Sequence, residues 1–232
     1  MSTTAAAGST RTVERALGLL AEVCAEGSIS LSECARRTHL PTSTALRLLR
    51  TLEATGFVLR DATGSFSAGA RLVQLGAYAV GRQSLVRLAQ PRMQRIVAAT
   101  GETTYLSIAG PKETAIYIAM VEGTHAVRHT SWVGQSMPFA NLAVGRALTG
   151  SVPAEGYVAE RDRLEPDVTA IAAPIRRSAG VAGALSLLGP TYRIDSRTMR
   201  RYGLIVSCEA EAIGAQLGSA PGASALREVT AE

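Results

Sequence analysis

Between Thr12 and Ser67 the hydrophobic period switches once from helical to extended, and that switch limits the folds open to the chain. Val13, Ala16, Leu17, Leu20 and Val23 recur at three- and four-residue steps, which places them on one helical face. Thr12 is positioned to cap this helix and Gly27 to stop it. A second short helix follows Ser30 or Ser32, with Leu31, Cys34 and Ala35 on one side and its end near Thr38. Pro41, tolerated at a helix start but not in its interior, precedes Thr42, Ser43 and Thr44, which offer caps for a third helix. That helix carries Ala45, Leu46, Leu48, Leu49 and Leu52 and stops at Gly56. Phe57–Arg60 and Ser65–Ser67 then flank the turn Asp61-Ala62-Thr63-Gly64, the pattern of a hairpin. Three helices followed by a hairpin predict a winged helix-turn-helix.

Leu72, Leu75 and Ala79 continue a helical period and predict a linker helix over 70–83. Another helix begins at Ser84 and stops at Gly101. The texture then changes. Strands are expected over 103–108, 115–121, 126–131, 168–175 and 181–188, with a short helix over 142–148 and a last one capped by Asp195. Five strands flanked by helices make an α+β domain. The organisation expected is a disordered leader (1–10), a winged helix-turn-helix (11–69), the linker helix (70–83), a larger second domain (84–219) and a flexible, small-residue tail (220–232).

Composition excludes several classes. Of 232 residues, 47% are hydrophobic and 19% charged, enough to build packed cores. No apolar run reaches the roughly 18–20 residues that cross a bilayer, and the first ten residues have neither a basic nor an apolar signal region, so the cytoplasm is expected. Cys24, Cys34 and Cys208 are odd in number and lack Cys-x-x-Cys spacing; His39, His125 and His129 share no ligand spacing with them. Buried small hydrophobes are therefore expected, with a Cys24–Cys34 redox pair as the minor alternative, and no metal site or cofactor. There is no nucleophile elbow, no His-Glu-x-x-His and no phosphate-binding glycine loop, and three histidines leave little for acid–base work. The chain reads as a non-enzyme.

The net charge of +5 suits a polyanion partner, and its distribution says where. Through Gln83 there are nine arginines against six acids; the remainder has fifteen basic groups against thirteen acids. A recognition helix enters the major groove by its N-terminal part, with short polar side chains near the backbone and long donors a turn further on. Thr42, Ser43 and Thr44 fill the first role and Arg47 and Arg50 the second, with Leu46, Leu49 and Leu52 facing inward. Arg60 and Ser65 flank the wing tip, and Ser32 on the second helix completes the candidate DNA contacts.

These segments resemble the IclR family of bacterial regulators over nearly the whole chain. The resemblance rests on Val13-Glu14-Arg15-Ala16-Leu17-Gly18-Leu19-Leu20, on Leu40 through Leu49, on Thr51-Leu52 and Gly56-Phe57-Val58. In the second half it rests on Thr100-Gly101-Glu102-Thr103, Gly145-Arg146-Ala147-Leu148, Ile171-Ala172-Ala173-Pro174-Ile175, and Leu185-Ser186-Leu187 with Gly189-Pro190. It implies a GAF-like effector-binding and oligomerisation domain with an antiparallel sheet, dimers or dimers of dimers, and a repressor acting at pseudopalindromic operators. It also implies a small-molecule pocket made from Ala126, His129, Met137, Ala143, Val144, Glu160, Ala170, Ser186 and Leu188. Backbone N–H groups near Val144 and Gly145 would suit a carboxylate, and Ser186 could donate to one.

The chain departs from the family pattern in ways that bear on this pocket. Ala170 and Leu188 are apolar where the family is often polar, and Arg146 replaces the motif lysine. Gly150-Ser151-Val152-Pro153 passes almost directly to Gly156-Tyr157, where the family usually carries several dozen more residues. The effector expected is thus a carboxylic acid or a more apolar metabolite. The alternative is a constitutive DNA-binding dimer whose second domain only oligomerises. Trp132 is either a loop residue over the pocket or a core anchor, and Glu160, Asp162, Glu165 and Asp167 are expected to form a solvated acidic loop.

Overall fold

The computed structural model describes residues 10–82, 84–129, 131–139 and 141–218. The expectations for a disordered leader and a flexible tail fall almost wholly outside these residues. The chain divides into two compact units, Met1–Arg82 and Gln83–Glu232.

The first unit contains α1 (Arg11–Glu26), α2 (Leu31–Arg37), α3 (Thr42–Ala54), the hairpin β1 (Val58–Arg60) and β2 (Phe66–Ala68), and α4 (Ala70–Arg82). Leu19, Leu20, Val23, Cys34, Ala45, Leu48, Leu49, Val58 and Phe66 are buried together, so three helices and the wing share one core. Val13 and Leu17, expected on the buried face of α1, are exposed, because only the C-terminal half of that helix has a partner to pack on. α1 begins two residues earlier than expected: Thr10 holds the cap position and Thr12 lies in the first turn. Ser30 caps α2, its Oγ accepting the Glu33 N–H at 3.3 Å.

Both helices of the helix-turn-helix end by the same device. After α2, His39 N–H donates to Arg36 O and Leu40 N–H to Ala35 O, with His39 in the left-handed region at φ 53. After α3, Gly56 N–H donates to Glu53 O and Phe57 N–H to Leu52 O, with Gly56 at φ 77. Each pair of bonds satisfies carbonyls that the helix end would leave orphaned and turns the chain sharply. The expected caps of α3 are not formed. Pro41 holds the N-cap position, and Thr42, Ser43 and Thr44 sit in the first turn without a side-chain cap bond, because Pro41 O already accepts Thr44 and Ala45 N–H.

The second unit contains α5 (Ser84–Thr100), β3 (Thr103–Gly110), β4 (Thr114–Val121), β5 (Ser136–Pro138), α6 (Ala143–Leu148), β6 (Val158–Arg161), β7 (Val168–Arg177), β8 (Gly180–Pro190), a 3-10 turn (Thr191–Arg193) and α7 (Ser196–Gly218). Its sheet is antiparallel throughout, in the order β5-β4-β3-β8-β7-β6. Strand period two sends large side chains to one face: Leu106, Leu185, Leu187, Ile171 and Ile175 pack on α5 and α7. The other face carries Tyr105, Ser186, Leu188, Ala170, Ala172 and Val158, with α6 against its small residues. Gly145 lets the Phe139 backbone lie against α6, since a Cβ there would collide with it.

The sheet therefore has six strands rather than five. Two of them, β5 and β6, are short edge strands that the sequence pattern did not announce. The strand expected over 126–131 is absent from its described residues, Thr130 lying outside them. Its carbonyls are occupied otherwise: Arg128 Nη1 donates to His125 O and Ala126 O, and Arg193 Nη2 to Val127 O. Glu160 lies on β6 and is half-buried, so it does not belong to a solvated acidic loop.

Candidate functional site

On α3 the core takes Ala45, Leu48 and Leu49, leaving Leu46 and Leu52 half-buried and Ser43, Arg47 and Arg50 exposed. Leu46 thus faces the core only in part; it lines a shallow groove with Ser43, Arg47, Arg50, Thr51 and Thr55. Thr42 is exposed and Thr44 half-buried. Thr51 and Thr55, absent from the sequence candidates, are turned back on the helix: their hydroxyls donate to Arg47 O and Thr51 O.

Electrostatics separates the arginines of this unit into two groups. Arg36 and Arg37 both grip Glu33, and Arg37 also pairs with Glu26 and Glu22. The two guanidiniums hold the Glu33 carboxyl down to about 2. Three of the six acids are thus engaged by two arginines. Among the described residues Arg47, Arg50 and Arg60 form no ion pair, so α3 and the wing carry unpaired positive charge, as do Arg11, Arg15 and Arg71 on the flanking helices. Arg60 folds back, its Nε 3.5 Å from Gly64 O and its guanidinium 5.6 Å from the Phe66 ring centre. The tip is rigid: Asp61 Oδ1 accepts from Thr63 N–H, Ser65 N–H and Thr63 Oγ1 at 2.8, 3.0 and 2.6 Å. Ser65 is half-buried beside it. Ser32 is exposed on α2, with its Oγ 3.1 Å from Ser30 Oγ.

In the second unit, Ala143, Val144, Glu160, Ala170, Ser186 and Leu188 line one cavity. Tyr117, Leu142, Arg163 and Leu164 complete it and were not anticipated; the alternation of Ala115 with Tyr117 along β4 was the signal that could have found Tyr117. The free volume is about 10 Å³, room for one water. Ala126, His129 and Met137 do not line it. Ala126 is exposed in the loop after β4, and Met137 packs on the rings beside the cavity. His129 joins those rings: its Nδ1 is 2.8 Å from Tyr105 Oη and its ring centre 3.9 Å from that of Trp132. Trp132 is buried against Tyr105 and Tyr117. Burial pushes the phenols of Tyr105 and Tyr117 up, the latter to about 12. A wider, open recess of about 600 Å³ lies on the outer side of His129, between Val127, Glu165, Pro190 and Tyr192.

Ser186 Oγ, Ser107 Oγ and Glu160 Oε2 are buried with no hydrogen-bond partner among the described protein atoms, and all three side chains rise from the face that α6 covers. Glu160 Oε1 faces Arg146 Nη1 at 3.9 Å. Elsewhere burial pushes the Cys24 and Cys34 thiols up, opposite to what a reactive thiolate needs, and Cys34 lies in the core. No three of the described His, Cys, Asp and Glu side chains gather as a metal site, and no described helix is long and apolar enough to cross a membrane.

A winged helix-turn-helix with an unneutralised recognition helix, carried beside an antiparallel-sheet domain, defines a DNA-binding regulator. Residues 12–62 match the IclR helix-turn-helix domain and residues 77–154 the bacterial transcriptional regulator IclR C-terminal domain, together more than half of the chain. The regulator KipR of Bacillus subtilis is 30% identical over 145 residues, 62% of this chain and 58% of that relative. KdgR of Escherichia coli is 24% identical over 247 residues, 90% of this chain and 94% of the relative. The Escherichia coli transcriptional repressor IclR is 28% identical over 158 residues, 67% of this chain and 58% of the relative. Among solved structures, an IclR regulator from Alicyclobacillus acidocaldarius superposes with TM-score 0.78 at 24% identity, covering 90% of this chain and 99% of that one. An IclR homologue from Microbacterium hydrocarbonoxydans, complexed with 4-hydroxybenzoate, gives 0.74 at 23% identity, covering 90% and 100%. The chain belongs to the IclR family of transcriptional regulators and carries that family's DNA-binding helix-turn-helix.

Proposed function

We propose that this regulator is a dimeric cytoplasmic repressor that binds a pseudopalindromic operator and changes its DNA affinity when a small molecule occupies the cavity under α6. The observation that carries the effector reading is the set of unpaired buried polar atoms in that cavity. A buried hydroxyl or carboxylate oxygen without a partner is costly in a protein that has no use for it. The ligand-bearing Microbacterium homologue and the repressor relative point the same way. Thr42, Ser43, Thr44, Arg47 and Arg50 contact the operator from α3, with Ser32 from α2 and Arg60 and Ser65 from the wing. Exposed apolar side chains on α4 (Val73, Leu75, Tyr78) and on α1 (Val13, Leu17) supply surface for the second protomer or for a dimer of dimers.

Fluorescence anisotropy with DNA from upstream of the gene, against a scrambled duplex at two salt concentrations, tests the DNA half. Specific binding exceeds the control by roughly a thousandfold and survives the higher salt. Addition of acids, phenols and amino acids to the same assay tests the effector half. The second reading, a constitutive dimer, is favoured by the cavity's free volume of about 10 Å³. It gains if no compound raises Tm, because a ligand selective for the native state must do so.

A further inference from the structure

We propose that the ligand of the cavity under α6 is a neutral hydroxyl compound on a compact apolar ring, a phenol or ring-bearing alcohol, and not a simple carboxylate. The proposal rests on the effector reading above and concerns the chemistry of that same site. Glu160, Ala170 and Leu188 stand in one row across β6, β7 and β8, and Ser186 is two residues before Leu188 on the same face. The row presents two unpaired oxygens, Glu160 Oε2 and Ser186 Oγ, to the same small space, and Ser186 is 3% exposed. A carboxylate only accepts, whereas a serine hydroxyl donates or accepts. A ligand hydroxyl donating to Glu160 and accepting from Ser186 satisfies both.

The charge balance selects a neutral donor. Glu160 Oε1 already faces the Arg146 guanidinium at 3.9 Å, so its counter-charge comes from outside the cavity. A second carboxylate would bring like charges together beside largely buried side chains, where their repulsion is less screened than in bulk water. Arg163 at the rim offers an anion little in return, since it is exposed and solvated. The other walls, Leu142, Val144, Ala170 and Leu188, have no polar side-chain atoms. With about 10 Å³ free, a ring enters only as neighbouring side chains move, and Tyr117 and the adjoining Trp132 offer ring faces and edges in exchange.

Phenol, benzoate and toluene are titrated into the 232-residue chain, read by the fluorescence of Trp132, the single tryptophan, and by Tm. Phenol binds at least about tenfold more tightly than either of the others, the size expected of one well-placed hydrogen bond to a charged acceptor. Glu160→Gln keeps the side chain's shape but removes its charge, so benzoate gains and the phenol-to-benzoate ratio falls to within about threefold. Ser186→Ala weakens phenol and leaves toluene unchanged. A purely structural role for Glu160 would shift all three compounds alike. Benzoate binding as tightly as phenol to the unaltered chain overturns the hydroxyl assignment and leaves an effector cavity standing. An unchanged ratio in Glu160→Gln overturns the part given to Glu160. No response to any of the three compounds overturns this assignment and leaves the effector reading to the wider set of acids, phenols and amino acids.

Discussion

Arg193 grips Glu102 with both prongs of its guanidinium, Nε to Oε1 at 2.9 Å and Nη2 to Oε2 at 3.0 Å, across 91 positions of sequence. Glu102 is 1% exposed, and the same Nη2 donates to Val127 O at 2.8 Å. One cation therefore ties together the start of β3, the turn after β8 and the loop that carries Val127 and His129. A buried carboxylate that loses its partner costs about 3–5 kcal/mol. Arg193→Ala should lower the unfolding free energy of the second unit by that amount, and Arg193→Lys should recover only part, because lysine lacks the fork. Urea unfolding followed by Trp132 fluorescence checks this; a loss under about 1 kcal/mol would show that the pair is dispensable.

The sorting of arginines in the first unit makes a prediction about DNA. Arg47 is exposed and without an ion pair, whereas Arg36 is bound to Glu33 at 2.6 and 2.8 Å. Arg47→Ala should cost about 1–3 kcal/mol of operator binding, with relaxed preference at one base pair if it reads a base edge. If it touches phosphate, all sequences weaken alike and the salt slope falls by about one. Arg36→Ala should change little, since its charge is already offset by a neighbour. Equal losses from the two substitutions would contradict this division.

What the sequence made legible follows from which forces act locally. The helix-turn-helix and wing were readable because each junction carries its own signal: Ser30 before α2, Pro41 before α3, Gly56 after it, and Asp61 through Gly64 in the wing. The strand expected over 126–131 failed because a side chain 66 positions away, Arg193, takes Val127 O, and no local pattern encodes that. β6 was missed because a four-residue edge strand that begins Val-Ala-Glu-Arg looks like a loop until β7 pairs with it. The cavity was legible only in part, through a family resemblance that named Ala143, Val144, Glu160, Ala170, Ser186 and Leu188. Ala126, His129 and Met137 fell outside it, because the loop between β4 and β5 is set by ring packing around Trp132 and not by any repeat in its own sequence.

Those rings carry a pH signature. Tyr117 is 1% exposed, and burial raises its phenol from 10.0 to about 12. Below pH 10 the phenol is neutral in both folded and unfolded chains, and its burial carries no pH penalty. Above that the unfolded chain ionises first, so stability falls as pH rises through the window between 10 and 12, by about 2–3 kcal/mol at its end. Tyr117→Phe should remove this loss from the alkaline limb while keeping the ring contacts with Tyr105 and Trp132. Unfolding midpoints at pH 9 and pH 11 for both chains decide it; parallel losses would place the alkaline sensitivity elsewhere.

Gly69 and His39 make opposite predictions from the two helix ends of the DNA-binding unit. A Cβ on Gly69 would collide with Gly56 O and come within 2.8 Å of Phe57 C, both backbone atoms that cannot rotate away. Gly69 N–H also donates to Phe57 O at 2.9 Å, so the collision falls where the end of α3, the base of the wing and the start of α4 meet. Gly69→Ala should therefore cost about 1–3 kcal/mol, the usual cost of overpacking a tight site. His39 is in the left-handed region at φ 53, in the same turn geometry that Gly56 adopts after α3. A side chain there is strained, and glycine relieves it, so His39→Gly should stabilise by about 0.5–1 kcal/mol despite the added freedom of the unfolded chain. Helical circular dichroism in urea should shift in opposite directions for the two variants. Trp132 fluorescence, which reports on the second unit, should keep its midpoint in both; a matching shift there would mean that the two units unfold as one.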